Sequence, residues 1–355
     1  MKYLGMQKLG LDILFIENIA NVSYNIAKKL RELGWNVMLL TRENPSAGIL
    51  DQSNVSNEPW VKTFPCYSLF DKTFRYLNRV LEYNVDIIHC HYALEQGLYA
   101  LFSKSLRKTK RVIIHCHGTD LRDTSRSWRY GWIVNINLKL ADKVFVSTPD
   151  LLRNGVELLS NPIDISLFKP NKPILDLKMG HDFAIFLPSR HVWKHKRQDL
   201  FLKALRVLVD KGYDCNLIMV NYGPDLNRSK MLVNKLKLEN NVCFVPPIHP
   251  SDMPSYYNSS DIVWAQMGLG HLGLVCLEAM ACNKPTFVDF IYDTAYPEPP
   301  PVIRVYNLKD IIDKTIEILD SKKFNLETRW WVTKYSSYQS VLGKLIRTYY
   351  ALLSK

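Results

Sequence analysis

No run of eighteen apolar residues occurs in this 355-residue chain. The longest candidate, around Ile262–Cys282, is interrupted by Gln266, His271 and Glu278, which argues against a transmembrane helix. The apolar run near the N-terminus contains Asp12 and Glu17 and leads to no small-residue cleavage site. Despite Lys2 it does not read as a signal peptide. The seven cysteines are an odd number, scattered through apolar runs at Cys116, Cys215, Cys243 and Cys276 among others. They suit reduced thiols in a cytoplasm better than a disulfide framework. There is no short-period repeat, no low-complexity segment and no recognised nucleic-acid motif. That last absence has weight because the formal net charge is +12. The anionic partners then expected are phosphorylated substrates or an acidic membrane surface, with no nucleic acid.

What is present is an ordinary globular composition, 47% apolar and 23% charged, in a chain long enough for two domains. Short apolar runs at Leu11–Ile16, Val37–Leu40, Asp86–Cys90, Arg111–His115 and Lys143–Ser147 read as strands. Helical patterns separate them, such as Val22, Ile26, Leu30 and Leu33 on one face with Gly34 as the stop. The alternation lapses over residues 161–182, rich in proline and charge, and then restarts. Phe183–Leu187, Asn216–Val220, Val242–Val245, Asp261–Ala265 and Pro285–Val288 are further strands with helices between them. The expected fold is α/β, two tandem doubly wound Rossmann-like units facing a cleft. The expected boundaries are 1–160 for a first domain, 161–182 for a linker and 183–335 for a second. A C-terminal helix over 336–355 would cross back to the first domain at the junction.

The segment Gly268–Pro285, GLGHLGLVCLEAMACNKP, joins a strand to a helix through glycines. Such a turn lets a ligand approach the main chain, and first-turn N–H groups without helical partners point at it, as a phosphate requires. Glu278, one turn further on, is placed to accept hydrogen bonds from a sugar hydroxyl. Two readings share these letters. Gly268, Gly270 and Gly273 spell the dinucleotide fingerprint, with Asp289 near the spacing of a ribose-binding acid, which would make the chain an NAD-dependent oxidoreductase. That fingerprint normally opens its domain, however, and only 82 residues follow Gly273.

The second reading is a resemblance. L-G-x-x-x-L-E-A-M-A-x-x-K-P resembles the nucleotide-sugar site of retaining glycosyltransferases with the GT-B fold, especially family 4. Other segments are similar to the family in the same order: Asp86-Ile-Ile-His-Cys-His, His117-Gly-Thr-Asp120, Ala141-Asp-Lys-Val-Phe-Val-Ser-Thr, Asn161-Pro-Ile-Asp164 through Phe168-Lys-Pro170, and Asn221-Tyr-Gly-Pro. Together they cover roughly residues 10–350. The resemblance implies a retaining, metal-independent hexosyltransferase without cofactor, using a nucleoside-diphosphate sugar on a glycan or lipid-linked acceptor. It implies a cytoplasmic enzyme, in some members membrane-associated. Arg190 and Lys196 occupy the positions that bind the donor diphosphate, with Lys194 a rival because this loop is one residue longer. Gly270, Gly273, Leu274, Val275 and Glu278 would complete the donor site. His117 would contact donor sugar or acceptor, assisted by Asp120.

Two departures accompany the resemblance. The first of the family's paired glutamates falls on Gly270, a feature shared with some members and also the best support for a non-catalytic glycan-binding module. The turn Glu17–Ser23 lacks the family's glycine pair, so Asn21 or Ser23 is expected to cap the helix that follows. The tripeptides His89-Cys90-His91 and His115-Cys116-His117 have the makings of a zinc site, since alternate strand residues share a face. Cysteine is a common small apolar residue in buried strands, so no metal is expected. Lys104, Arg107, Lys108, Lys110 and Arg111 form a basic cluster that would suit anionic headgroups or a solvated helix end.

Overall fold

The computed structural model describes residues 10–42, 58–65, 68 and 71–354; Lys2 lies outside them. The chain divides into two units, Met1–Pro162 with Tyr338–Lys355, and Ile163–Ser337.

The first unit holds strands β1 (Asp12–Ile16), β2 (Asn36–Arg42), β3 (Val61–Phe64), β4 (Val85–Cys90), β5 (Thr109–Cys116), β6 (Lys143–Val146) and β7 (Glu157–Leu158). They form one parallel sheet in the order β3-β2-β1-β4-β5-β6-β7. The second unit holds β8 (Phe183–Leu187), β9 (Cys215–Val220), β10 (Val242–Val245), β11 (Ile262–Gln266), β12 (Thr286–Val288) and β13 (Ile303–Arg304). Its parallel order is β10-β9-β8-β11-β12-β13. Central strands such as Ile13–Ile16 and Cys215–Val220 are continuous apolar runs because helices cover both faces of the sheet. In each sheet the chain winds outward in one direction, returns, and winds the other way. The reversals lie between β1 and β4, and between β8 and β11. Loops leaving the carboxyl ends of those strands flank the crevice where open α/β sheets bind ligands.

β3, β7 and β13 carried no strand signal in the sequence. β3 is mostly solvent-exposed and β7 and β13 have two residues each, too short for a period-2 pattern. Residues 163–182 are not a free linker. Phe168 and Leu177 are buried. The side chains of Asn258 and Ser259 accept from the amides of Asn171, Ile174 and Leu175 at 2.9, 3.1 and 3.0 Å. Prolines hide such packing from a periodicity search because the segment's backbone is tied by side chains. Helix Tyr338–Leu353 belongs to the first unit, where Val341, Leu342, Leu345, Ile346 and Tyr349 join the core beneath helix Val22–Glu32.

Candidate functional site: loops at the strand reversals

In the second unit three loops meet. The loop after β8 carries Arg190 and Lys196, the loop after β9 carries Gly223, and the loop after β11 carries Gly268 to Gly273. Gly223 has φ of 124°, and a Cβ there would stand 2.5 Å from the backbone nitrogen of His191 and 2.9 Å from Arg190 Cγ. Gly268 has φ of 112° and would press a Cβ to 3.0 Å from the Lys194 carbonyl. Glycine is required at both, because backbone from the neighbouring loop occupies the side-chain space.

Lys196 turns inward and its amino group donates to the side-chain oxygen of Gln266. The same oxygen lies 2.7 Å from where a Cβ on Gly273 would sit. Gln266 also donates to the His271 carbonyl at 2.7 Å. Gln266 therefore links the Lys196 cation to the residue that begins helix Leu274–Ala281, and no side chain caps that helix. The amides of Leu274 and Val275 open its first turn. Lys194 is exposed, so of the two lysines it is Lys196 that points to the glycine turn. Arg190 is exposed, and its guanidinium has no acidic partner among the described residues.

Glu278 is half-buried and accepts from the Tyr257 hydroxyl at 2.7 Å. Burial raises its pKa to about 7, against the opposing effect of that hydrogen bond. In the sequence Gln266 stands out only by its place in a Q-x-x-x-G-x-x-G pattern and Tyr257 not at all, because nothing local marks a polar residue whose partner comes from another loop.

Asp289 is not a ribose ligand in waiting. One carboxylate oxygen accepts from the amides of Gly268 and Gly270, the latter at 3.1 Å. The glycine turn moreover follows the fourth strand of its unit. The first strand–helix turn, where a dinucleotide fold keeps its glycines, is Pro188–Arg197 and has none. These two facts overturn the oxidoreductase reading. Gly270 has φ of 70°, and a Cβ would meet Ile291 Cγ1 at 2.8 Å.

In the first unit, His117 Nε2 lies 2.8 Å from His91 Nδ1, and burial with neighbouring histidines pushes its pKa well below the usual imidazole value. Asp120 is fully buried and braces the turn. It accepts from the amides of His117, Gly118, Leu121 and Ala93 at 3.0–3.2 Å. These bonds hold the turn that carries His117. Neither Asn21 nor Ser23 caps helix Val22–Glu32 by side chain; Asn18 accepts from the Tyr24 amide at 3.1 Å instead. The loop before this helix lacks glycine yet takes left-handed angles at Glu17, Ala20 and Asn21, with φ of 70°, 49° and 59°. Buried Glu17 is held by Arg42 at 2.6 Å, and Arg42 also reaches Glu95 at 2.9 Å. Three of the five cations in the basic cluster are paired: Lys104 and Arg111 share Asp142, and Lys110 meets Asp86. The six cysteines among the described residues are free thiols.

Two family models match in tandem. Glycosyltransferase Family 4 covers residues 19–166, and Glycosyl transferases group 1 covers residues 176–292. The chain belongs to the GT-B glycosyltransferases. Among relatives of this glycosyltransferase, N-acetyl-alpha-D-glucosaminyl L-malate synthase of Bacillus anthracis is 25% identical over 215 residues. That match takes in 57% of this chain and 56% of the relative, so it spans little more than half of that enzyme. Alpha-monoglucosyldiacylglycerol synthase of Streptococcus pneumoniae is 23% identical over 303 residues, 76% of this chain and 67% of the other. Sucrose-phosphate synthase from Thermosynechococcus elongatus shares the fold with a TM-score of 0.71 at 18% identity, covering 96% of this chain and 99% of that one. The Anabaena HepE protein in complex with UDP and glucose gives 0.72 at 15% identity, covering 96% and 100%.

Proposed function

We propose that this glycosyltransferase transfers a hexose from a nucleoside-diphosphate sugar with retention of configuration and without a metal at the leaving phosphate. The observation that carries the reading is the union of Lys196, Gln266 and Gly273 at the reversal between β8 and β11. As the sugar–phosphate bond breaks, its electron pair stays on the departing phosphate. Lys196, Arg190 and the amides of Leu274 and Val275 form a preorganised positive environment there, replacing the divalent ion other enzymes use. Glu278 accepts from the ribose. His117 contacts donor sugar or acceptor. The Anabaena HepE protein, similar in fold, is seen with UDP bound, which supports a nucleotide donor. A thermal-shift panel of UDP-, GDP- and ADP-sugars tests the donor: one class should raise the melting temperature, and Arg190→Ala and Glu278→Ala should each abolish that rise. Retention of the rise in both variants rejects the site. Proton NMR of the product's anomeric centre decides retention, and activity in excess chelator decides metal independence.

For the acceptor we favour a lipid-linked or membrane-borne glycan, in a cytoplasmic setting. The segment 124–141 contains no acidic residue and exposes Trp128 (92%), Trp132 (55%) and Leu140 (56%) beside Arg129 and Lys139. Tryptophan and cations at one face suit an acidic bilayer surface. Sedimentation with vesicles containing acidic lipid should pull down the chain at low salt, and Trp128→Ala with Trp132→Ala should release it. A second reading, a binding module without turnover, draws on Gly270, and donor consumption in the presence of acceptor rejects it.

A further inference from the structure

Four histidines stand together on the carboxyl ends of β4 and β5, on the face covered by helix Tyr338–Leu353. His89 and His91 alternate with Cys90, and His115 and His117 with Cys116, so the imidazoles share one face and the thiols the other. The sheet register pairs Cys90 with Ile114, which puts His91 level with His115 one step further on. His89, His91 and His115 have no solvent exposure.

Each of these three rings is tied at one nitrogen. His89 Nδ1 lies 2.8 Å from the Tyr349 hydroxyl, His91 Nδ1 2.8 Å from His117 Nε2, and His115 Nε2 3.2 Å from the Leu159 carbonyl. The other nitrogens, Nε2 of His89, Nε2 of His91 and Nδ1 of His115, are buried with no hydrogen-bond partner among the described residues. A carbonyl can only accept, so neutral His115 must carry its proton on Nε2, and its Nδ1 presents a bare lone pair to the interior. Buried polar atoms normally find partners, and three bare nitrogens in one place call for a shared one.

The spacing suits a metal ion. One nitrogen from each ring falls in a group whose members all lie within 4.8 Å of one another. Ring centroids are 4.6, 5.0 and 5.7 Å apart. Three imidazoles on a tetrahedral ion at about 2.0–2.1 Å place their nitrogens roughly 3.4 Å and their centroids roughly 5 Å apart. The rings must turn inward to close the remaining gap on an ion. The tied nitrogens supply what metal-bound histidines need behind them, a partner for the second ring N–H.

We propose that His89, His91 and His115 bind one divalent first-row transition ion, zinc foremost, with a water in the fourth position and with Tyr349, His117 and the Leu159 carbonyl orienting the three rings. Three neutral imidazoles are a donor set for zinc, cobalt, nickel or copper, not for magnesium or calcium. The site is in the first unit and takes none of the donor-phosphate residues, although His117, which orients His91, is also the proposed substrate contact. Because Tyr349 comes from the C-terminal helix, the ion would fasten that helix to the sheet. This runs against the expectation that these tripeptides hold no metal.

The test uses the full chain without an affinity tag, stripped with chelator and reloaded with Zn²⁺ or Co²⁺. After desalting, about one equivalent per chain should remain, the cobalt form should show the strong visible bands of a four-coordinate nitrogen site, and melting should rise above that of the stripped protein. His115→Phe should lose the retained ion. Tyr349→Phe should keep the site with affinity about tenfold weaker. Cys90→Ala with Cys116→Ala should leave the cobalt spectrum unchanged. A wild-type chain that retains no ion and melts identically stripped and reloaded overturns the proposal without need of a variant. So does a thiolate charge-transfer band, or full retention by His115→Phe.

Discussion

At Gly270 one backbone angle dictates which side chain is possible. With φ of 70° and the Ile291 side chain where a Cβ would go, a glutamate would be strained at the position that resembles the family's first acidic residue. Gly270→Glu should therefore not restore a family-like site; it should destabilise the second unit by ~1–3 kcal/mol, read as a lower denaturation midpoint. A version with Ile291→Ala removes the collision but not the positive φ, and should recover only part of the loss. Glu278 makes a pH prediction. Its folded pKa of about 7 lies above the model-peptide carboxyl value, so the folded state binds the extra proton between about pH 4.5 and 7. Its contribution to stability is present below that window and is lost as pH rises through 7. Glu278→Gln should then remove the fall in melting temperature between about pH 4.5 and 7 while abolishing the donor-induced shift. A variant whose melting falls with pH as steeply as wild type would contradict this origin.

At the scale of elements, the donor site is a relation between loops. Gln266 ends β11, accepts from Lys196 on the loop after β8, and donates into its own glycine turn. Gln266→Ala should remove this link to the lysine and loosen the turn, weakening donor binding by about 1–3 kcal/mol, roughly five- to 150-fold in Kd. Calorimetric titration checks this, and unchanged affinity would mean that the link is incidental. The glycine-poor turn after β1 behaves comparably. Its left-handed residues and the Glu17–Arg42 ion pair achieve without glycine a conformation that glycine usually supplies. Glu17→Ala leaves Arg42 only half paired in a buried setting, and should destabilise the first unit more than the second.

At the scale of the whole molecule, the chain passes from the first unit to the second and returns through helix Tyr338–Leu353. Deleting residues 338–355 should uncover the apolar face around Ile13, Phe15 and Ile113 and lower the melting of the first unit selectively. Scanning calorimetry of the truncated chain should show one transition shifted or lost and the other, from Ile163–Ser337, retained. Loss of both would show that the units do not fold separately.

Strand and helix alternation, its restart after the proline-rich stretch, and the glycine turn before Leu274 were all legible from residue order, because each rests on contacts a few positions apart. The long central strands stood out; the short edge strands at Val61, Glu157 and Ile303 did not. Three-dimensional structure alone decided which loops meet, since parallel strands are joined by crossovers and neighbours in a sheet are distant in sequence. It set β8 beside β11, gave Lys196 to Gln266 and Asp289 to the glycine amides, and stacked histidines from two separate strands on one buried face.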